Sequence, residues 1–367
     1  MNSWTPGIAS EIDARLALLI AAGGAPKLLI ESVEEHGTAL AALESSSLRA
    51  RLREGVRKPD VPGEVAKQHA HAAAAGARWV VPGEGGIPTL ANAALVCVKG
   101  ELRSEPGVAV VGSREADAYG RSLSQALGRA LAEVGVAVVS GAARGVDEAA
   151  HLAAIAAGGR TVAFLGTGIA GERGRDRRAL LDAIASSGAV ASEYLATASG
   201  ATWTFPERNR LIAALSAATV VVQAARKSGA LHTARHALSL GKPLFAVPGD
   251  VCYPLSGGTN DLIASGQARM LVHPRDLIAV TGAKALNHAT WPLGVRGGAV
   301  PVARNGTGAP LEAGGRVLDL LGLAGPLRFD DLADRLGAEP DLPGVLLDLE
   351  LRDLVRLGAG GQYERVQ

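Results

Sequence analysis

Four short stretches of this sequence carry cationic side chains, in three of them within a few positions of glycine and a hydroxyl. "GSREADAYG" brings Gly112, Ser113 and Arg114, and "SGAARGVD" brings Ser140, Gly141, Arg144 and Gly145. "FPERNR" brings Phe205, Arg208, Asn209 and Arg210, and "ARKSGALHTA" brings Arg226, Lys227, Ser228 and Gly229. Glycine lets the backbone approach a ligand closely, N–H groups and hydroxyls donate to phosphate oxygens, and guanidinium adds charge and a forked donor. One such loop is a weak sign; four point to a polyanion.

Phe205 narrows the class of polyanion. A mononucleotide pocket buries its aromatic, whereas single-stranded nucleic acid offers bases to an exposed ring beside phosphate-binding arginines. Pro206 suits the first helical position, which leaves the N–H groups of the next turn facing an anion. The plainer alternative makes Phe205 a core residue and Arg208 and Arg210 a solvated helix face.

These loops need a scaffold that brings them to one edge, and the chain supplies one. Short aliphatic runs recur from residue 107 onward: "VAVVG" (108–112), "VAVVSG" (136–141), "TVAFLG" (161–166), "AVASEY" (189–194), "TVVVQAA" (219–225) and "PLFAVPG" (243–249). Continuous β-branched runs suit strands buried on both faces, as in a parallel sheet. Amphipathic stretches such as "YGRSLSQALGRALAEVG" fill the gaps between them. Alternating strand and helix predicts a doubly wound α/β domain, whose ligands gather outside the carboxyl ends of the strands. The four loops all follow strands in this reading.

The flanks differ. Residues 1–78 show helical spacing in "EIDARLALLIAAGG" and "TALAALESSSLRARLREG", and a turn-rich connector, "WVVPGEGGIPTLANAALVCVKGEL", follows. The α/β domain is assigned to 79–280, an aperiodic Gly/Pro-rich linker to 281–310, and a last domain to 311–367. That tail holds three helical patterns and a Gly-rich, hairpin-like end, the order of a winged helix-turn-helix.

Composition sets the limits. The 367 residues carry 47 Gly, only 3% aromatics and a formal charge of +1, so a polyanion must be met by a local patch and not by overall charge. Two cysteines, Cys97 and Cys252, form neither a disulfide framework nor a paired metal motif, which suits a reducing cytoplasm. The apolar run near the N-terminus is short and broken by Glu11, Asp13 and Arg15, so neither a signal peptide nor a membrane span is expected.

Other motifs compete with this reading. "GTGIAG" (Gly166–Gly171) matches G-x-G-x-x-G, follows a strand and has Glu193 about twenty residues on, as an NAD-type site requires. It does not open the first strand–helix unit, however, and "ERGRDRRALL" is an unusually charged start for a packed helix. No P-loop and no nucleophile elbow is present. His232 and His236 have helical metal spacing without a third ligand. Asp147 and His151 share that spacing and suggest a hydrogen-bonded pair propping the Arg144 loop in preference to an acid–base dyad. No catalytic constellation emerges, and neither enzymatic activity nor a cofactor is expected.

The motifs "VAVVGSR…YG", "VVSGAARGVDEAAH", "SEY", "FPERNRLIAALS", "SGALHTARHAL", "GKPLFAVPGD" and "SGGTNDLI" fall in order across residues 107–266. Together they resemble the DprA/Smf family of DNA-processing proteins. The resemblance implies an extended Rossmann-like domain that binds single-stranded DNA and forms homodimers. It also implies a role in natural transformation: protecting incoming strands and loading the RecA recombinase while single-strand-binding protein is displaced. The helical N-terminus resembles the family's SAM-like or helix-hairpin-helix domain, and the C-terminus its winged-helix domain. Carried over, Ser113, Arg114, Arg144, Phe205, Arg208, Asn209, Arg210, Ser228 and Gly229 would contact DNA.

Three positions depart from the family pattern. "GERGRDRRAL" replaces a Tyr-Pro…Asn segment, Thr202 stands where a lysine is usual, and Gln223-Ala224 replaces Glu-Ala. Arg173, Arg175, Arg177 and Arg178 are candidates to make up for the lysine, with a solvated charged loop as the plainer reading. A nucleoside-monophosphate hydrolase of similar fold would carry P-G-G-x-G-T-x-x-E, and "PGDVCYPLSGGTND" lacks its glutamate.

Overall fold

The computed structural model describes residues 8, 10–46, 48, 60–105, 107–171, 174–283, 286, 310–336, 342–351, 354–358 and 361–366. The chain divides into two compact units, Met1–Gly297 and Gly298–Gln367. Most of the sequence-assigned linker lies outside the described residues.

In the first unit every aliphatic run named above becomes a strand. These are β3 (Gly107–Val111), β4 (Val138–Ser140), β5 (Thr161–Phe164), β6 (Gly188–Ser192), β7 (Ser216–Val221) and β8 (Leu244–Ala246). They pair in parallel in the order β6-β5-β4-β3-β7-β8, with β9 (Arg269–Met270) parallel at the edge beyond β8. Every residue of β3, β4 and β5 is buried, the signature of strands covered on both faces. The crossovers are α5 (Ala118–Glu133), α6 (Val146–Ala156), α7 (Arg175–Ser187), α8 (Thr204–Leu215) and α9 (Ala230–Ser239). Strand order reverses between β3 and β7, the switch point where such sheets open a crevice.

The turn-rich connector conceals two strands. β1 (Ala77–Val80) and β2 (Val96–Gly100) form an antiparallel margin, with β2 against β6. Val96, Cys97 and Val98 are fully buried, so pairing with β6 outweighs the Gly and Pro content around them. Ahead of them lie α1 (Glu11–Ala21), α2 (Pro26–His36), α3 (Ala39–Glu44) and α4 (Val61–Ala74). Glu11 joins α1 to α3 by accepting from Ala39 N at 2.8 Å and Leu40 N at 3.1 Å. One apolar cluster runs from Leu16, Leu19 and Val65 into Cys97, Leu165 and Val190, so these helices pack onto the sheet. Burial on that scale contributes about 25 cal/mol per Å² of apolar surface.

The second unit contains α12 (Pro310–Ala324), β10 (Leu327–Arg328), α13 (Phe329–Leu336), α14 (Leu342–Leu351), β11 (Val355–Leu357) and β12 (Gln362–Arg365), after a short α10 (Gly257–Ala264) and α11 (Ile278–Thr281) end the first. Its strands pair antiparallel in the order β10-β12-β11 over Val317, Leu321, Leu332 and Leu346. β10 falls between α12 and α13, and the β11–β12 hairpin follows α14.

Candidate nucleic-acid interface

A cleft of about 900 Å³ opens at the switch point. The loop after β3 contributes Gly112, Ser113 and Arg114, and the loop after β7 contributes Lys227, Ser228 and Gly229. The start of α8 contributes Phe205, Arg208 and Asn209, and Gly200, Ala201 and Thr202 line the same space. Ser140, Gly141, Arg144, Gly145 and Arg210 are not among the lining residues, although Ala143 and Asp147 beside them are. The walls also include Ile212, Thr233 and Leu255, which carry no chemical signal readable from sequence.

The first loop is clamped by Gln223. Its carbonyl accepts from Ser113 N at 2.7 Å and its side-chain oxygen accepts from Asp117 N at 3.2 Å. A Cβ on Gly112 would lie 2.6 Å from Val146 Cγ2 and 2.8 Å from the Gln223 carbonyl, so only glycine permits this approach. Arg114 is exposed, and its guanidinium lies 5.3 Å from the centre of the Phe205 ring, a cation–π contact.

Phe205 is half-buried and rests on Gly166, where a Cβ would come within 2.6 Å of the ring. The glycines of "GTGIAG" therefore serve packing. Gly168 N donates to Ala198 O at 2.9 Å and Ala170 N to Ala196 O at 2.7 Å, so these amides are already occupied. Glu193 is engaged as well: both its oxygens accept from Arg210 Nη2, at 2.7 and 2.6 Å. A dinucleotide would find the Gly168 and Ala170 amides and the Glu193 carboxylate already taken.

Both arginines of "RNR" are buried, so they are not the solvated helix face of the plainer alternative. Arg208 donates to Gly141 O at 3.2 Å and to Phe164 O, with Nε on Asn209 Oδ1 at 3.2 Å. Burial brings its guanidinium down to about 10; Asp147 acts the other way, while the nearby charges of Arg177 and Arg114 lower it further. Arg210 turns to Glu193 and is 8% exposed. Pro206 is the third residue of α8, not the first, because the helix begins at Thr204, whose hydroxyl donates to Gly166 O at 2.6 Å.

The turn after β4 is held from inside. Asp147 Oδ2 accepts from Gly141 N at 3.1 Å and Ala143 N at 3.4 Å. Burial pushes the Asp147 carboxyl up, opposed by Arg208 and by bonds from Ser140, Ala143 and Gly141. The expected partnership with His151 does not form. His151 Nδ1 meets Thr161 Oγ1 at 2.5 Å, and Thr161 gives its own proton to Val138 O, so Nδ1 carries the imidazole proton. Burial lowers His151 to about 3, helped by Arg177 and Arg208. Arg177 donates to the Ala142 carbonyl, which ties α7 to this turn; Arg173 lies outside the described residues. Arg144 is exposed at the turn's tip.

On the opposite wall, Asn209 Nδ2 donates to Gly229 O at 3.3 Å and holds the Ser228–Gly229 turn against α8. Arg226 is paired with Asp261 at 2.7 Å. Lys227 is exposed, with no carboxylate within ion-pair distance among the described residues. His232 also faces the cleft, and among the described residues no group of three potential metal ligands converges. No helix among those residues is long and apolar enough to cross a membrane.

A family model described as DNA recombination-mediator protein A matches residues 90–282. The DNA processing protein DprA of Streptococcus pneumoniae is 37% identical over 179 residues, covering 49% of this chain and 63% of that protein. Protein Smf of Escherichia coli is 40% identical over 185 residues, 49% of each chain. The matched stretch spans 44–63% of the length of the curated relatives. The X-ray structure of DNA processing protein A from Streptococcus pneumoniae superposes with a TM-score of 0.59 and 29% identity, covering 73% of this chain and 97% of that one.

Proposed function

Because the chain belongs to the DNA recombination-mediator protein A family, we propose that its switch-point cleft binds single-stranded DNA and that the protein is a non-enzymatic mediator of recombination. The observation that carries this reading is the Arg114 guanidinium set 5.3 Å over the Phe205 ring at the mouth of the cleft. A base stacks where the aromatic is half open, and the phosphates on either side meet Arg114 and Lys227, with Arg144 close by. Duplex DNA keeps its bases paired and cannot use the ring.

The sequence-derived contact set is revised accordingly. Gly112, Ser113, Arg114, Phe205, Lys227, Ser228 and Gly229 form the contact surface, and Arg144 flanks it. Arg208 and Asn209 shape the floor, whereas Ser140, Gly141, Gly145 and Arg210 position the loops. By family resemblance the protein protects incoming strands in the cytoplasm during natural transformation, loads RecA as single-strand-binding protein leaves, and works as a homodimer. Residues 311–367 then act as a winged-helix module.

The test is an anisotropy titration of oligo-dT, duplex DNA and NAD across a salt series. Oligo-dT binds tightest, and Arg114→Ala or Lys227→Ala each reduces the magnitude of the salt slope by about 0.7, one phosphate contact on a single strand. Equal affinity for duplex, or a slope that neither variant changes, would remove the cleft from consideration.

A further inference from the structure

We propose that Trp203 is a second base-stacking platform, placed just outside the cleft where a strand leaves Phe205; this rests on the single-stranded-DNA reading above. The indole is 50% exposed, whereas Trp79 is 4% exposed. The aromatic is also held in place. Its ring meets Tyr194 in a T-shaped contact, with centroids 6.0 Å apart and planes at 78°. Tyr194 is 2% exposed, and its hydroxyl donates to Thr204 O at 2.9 Å, so the supporting ring cannot swing away. A platform fixed before binding loses little freedom when a base arrives.

Position connects it to the cleft. Gly200, Ala201 and Thr202 line the cleft on one side of Trp203 in sequence, and Phe205 lines it on the other. Thr204 locks this segment by accepting from Ala201 N at 3.0 Å and donating to Gly166 O. The nearby charge favours a base over a phosphate: Glu207, one helical turn on, has an exposed carboxylate, although it lies 3.5 Å from Arg210 Nε. Stacking tolerates that neighbour, because every base has a π-face and the contact needs no cation.

Indole fluorescence reports this directly. Titrating the full-length protein with an oligo-dT of about 16 nucleotides, the upper end of single-module site sizes, quenches part of the tryptophan emission. Trp203→Phe, which keeps an aromatic ring but removes the indole, loses that quench. Trp203→Ala weakens binding by about 5- to 140-fold with an unchanged salt slope. A full quench in Trp203→Phe, or wild-type affinity in a folded Trp203→Ala, overturns the proposal while leaving the cleft intact. If Trp203→Ala does not fold by circular dichroism, the quench in wild type and Trp203→Phe decides alone. Failure of the wild type to bind oligo-dT at all overturns the cleft reading and this proposal with it.

Discussion

Arg208 and Phe205 lie three residues apart on one helix and make different demands on the protein. Arg208 sits among carbonyls with Asp147 as its countercharge, so it behaves as a structural cation. Arg208→Ala leaves the buried Gly141 and Phe164 carbonyls without this donor and removes the charge that opposes the burial of Asp147, and we expect it to cost about 1–3 kcal/mol of stability, read as a lower urea midpoint. Arg208→Lys should recover little of it, because an ammonium cannot reproduce the guanidinium's several donors. Phe205→Ala should instead cost about 1–3 kcal/mol of oligo-dT affinity with the salt slope preserved. Intact affinity in that variant would show that the ring only covers Gly166.

At the scale of elements, the turn joining β4 to α6 is coupled to the GSR loop beside it. Gly145 has φ +87°, and a Cβ there would lie 2.3 Å from Ser113 O, in the GSR loop. Val146 N donates to that same carbonyl at 3.2 Å. Gly145→Ala therefore meets both a left-handed backbone and a backbone clash, and should destabilise by more than about 1 kcal/mol. Because the strain falls on the loop that carries Arg114, weaker oligo-dT binding should accompany it. A variant that loses stability yet binds normally would mean the GSR loop is positioned independently, by Gln223.

For the whole molecule, His151 links folding to pH. Its folded value of about 3 lies below its ordinary 6.5, so below 6.5 the unfolded chain binds more protons at this site. Its contribution to stability is full above 6.5 and declines as pH falls toward 3. The buried carboxyls of Asp147 and Glu193 are raised and act in the opposite sense, so the informative quantity is a difference between proteins. Between pH 6.5 and 4.5, urea midpoints of His151→Gln should fall less steeply than those of the wild type; parallel curves would mean that His151 takes up its proton without strain.

The strands and the one-edge arrangement of the loops were legible because each observable is local. A strand buried on both faces has no polar side to write, and in a parallel sheet every strand ends on the same rim. Gly112 and Gly145 were legible as close-approach residues for the same reason. The antiparallel β1 and β2 were not, since their turn-rich surroundings outweigh three buried residues until β6 is present to pair with them.

Residue types alone determined that glycine, hydroxyl and cation recur after three strands of an α/β sheet. Only the tertiary structure decided which cations face outward: Arg114 and Lys227 do, while Arg208 and Arg210 serve carbonyls and Glu193 inside. The reason is that a guanidinium suits a phosphate and a ring of protein carbonyls equally well, and its partner is chosen by what the fold packs beside it.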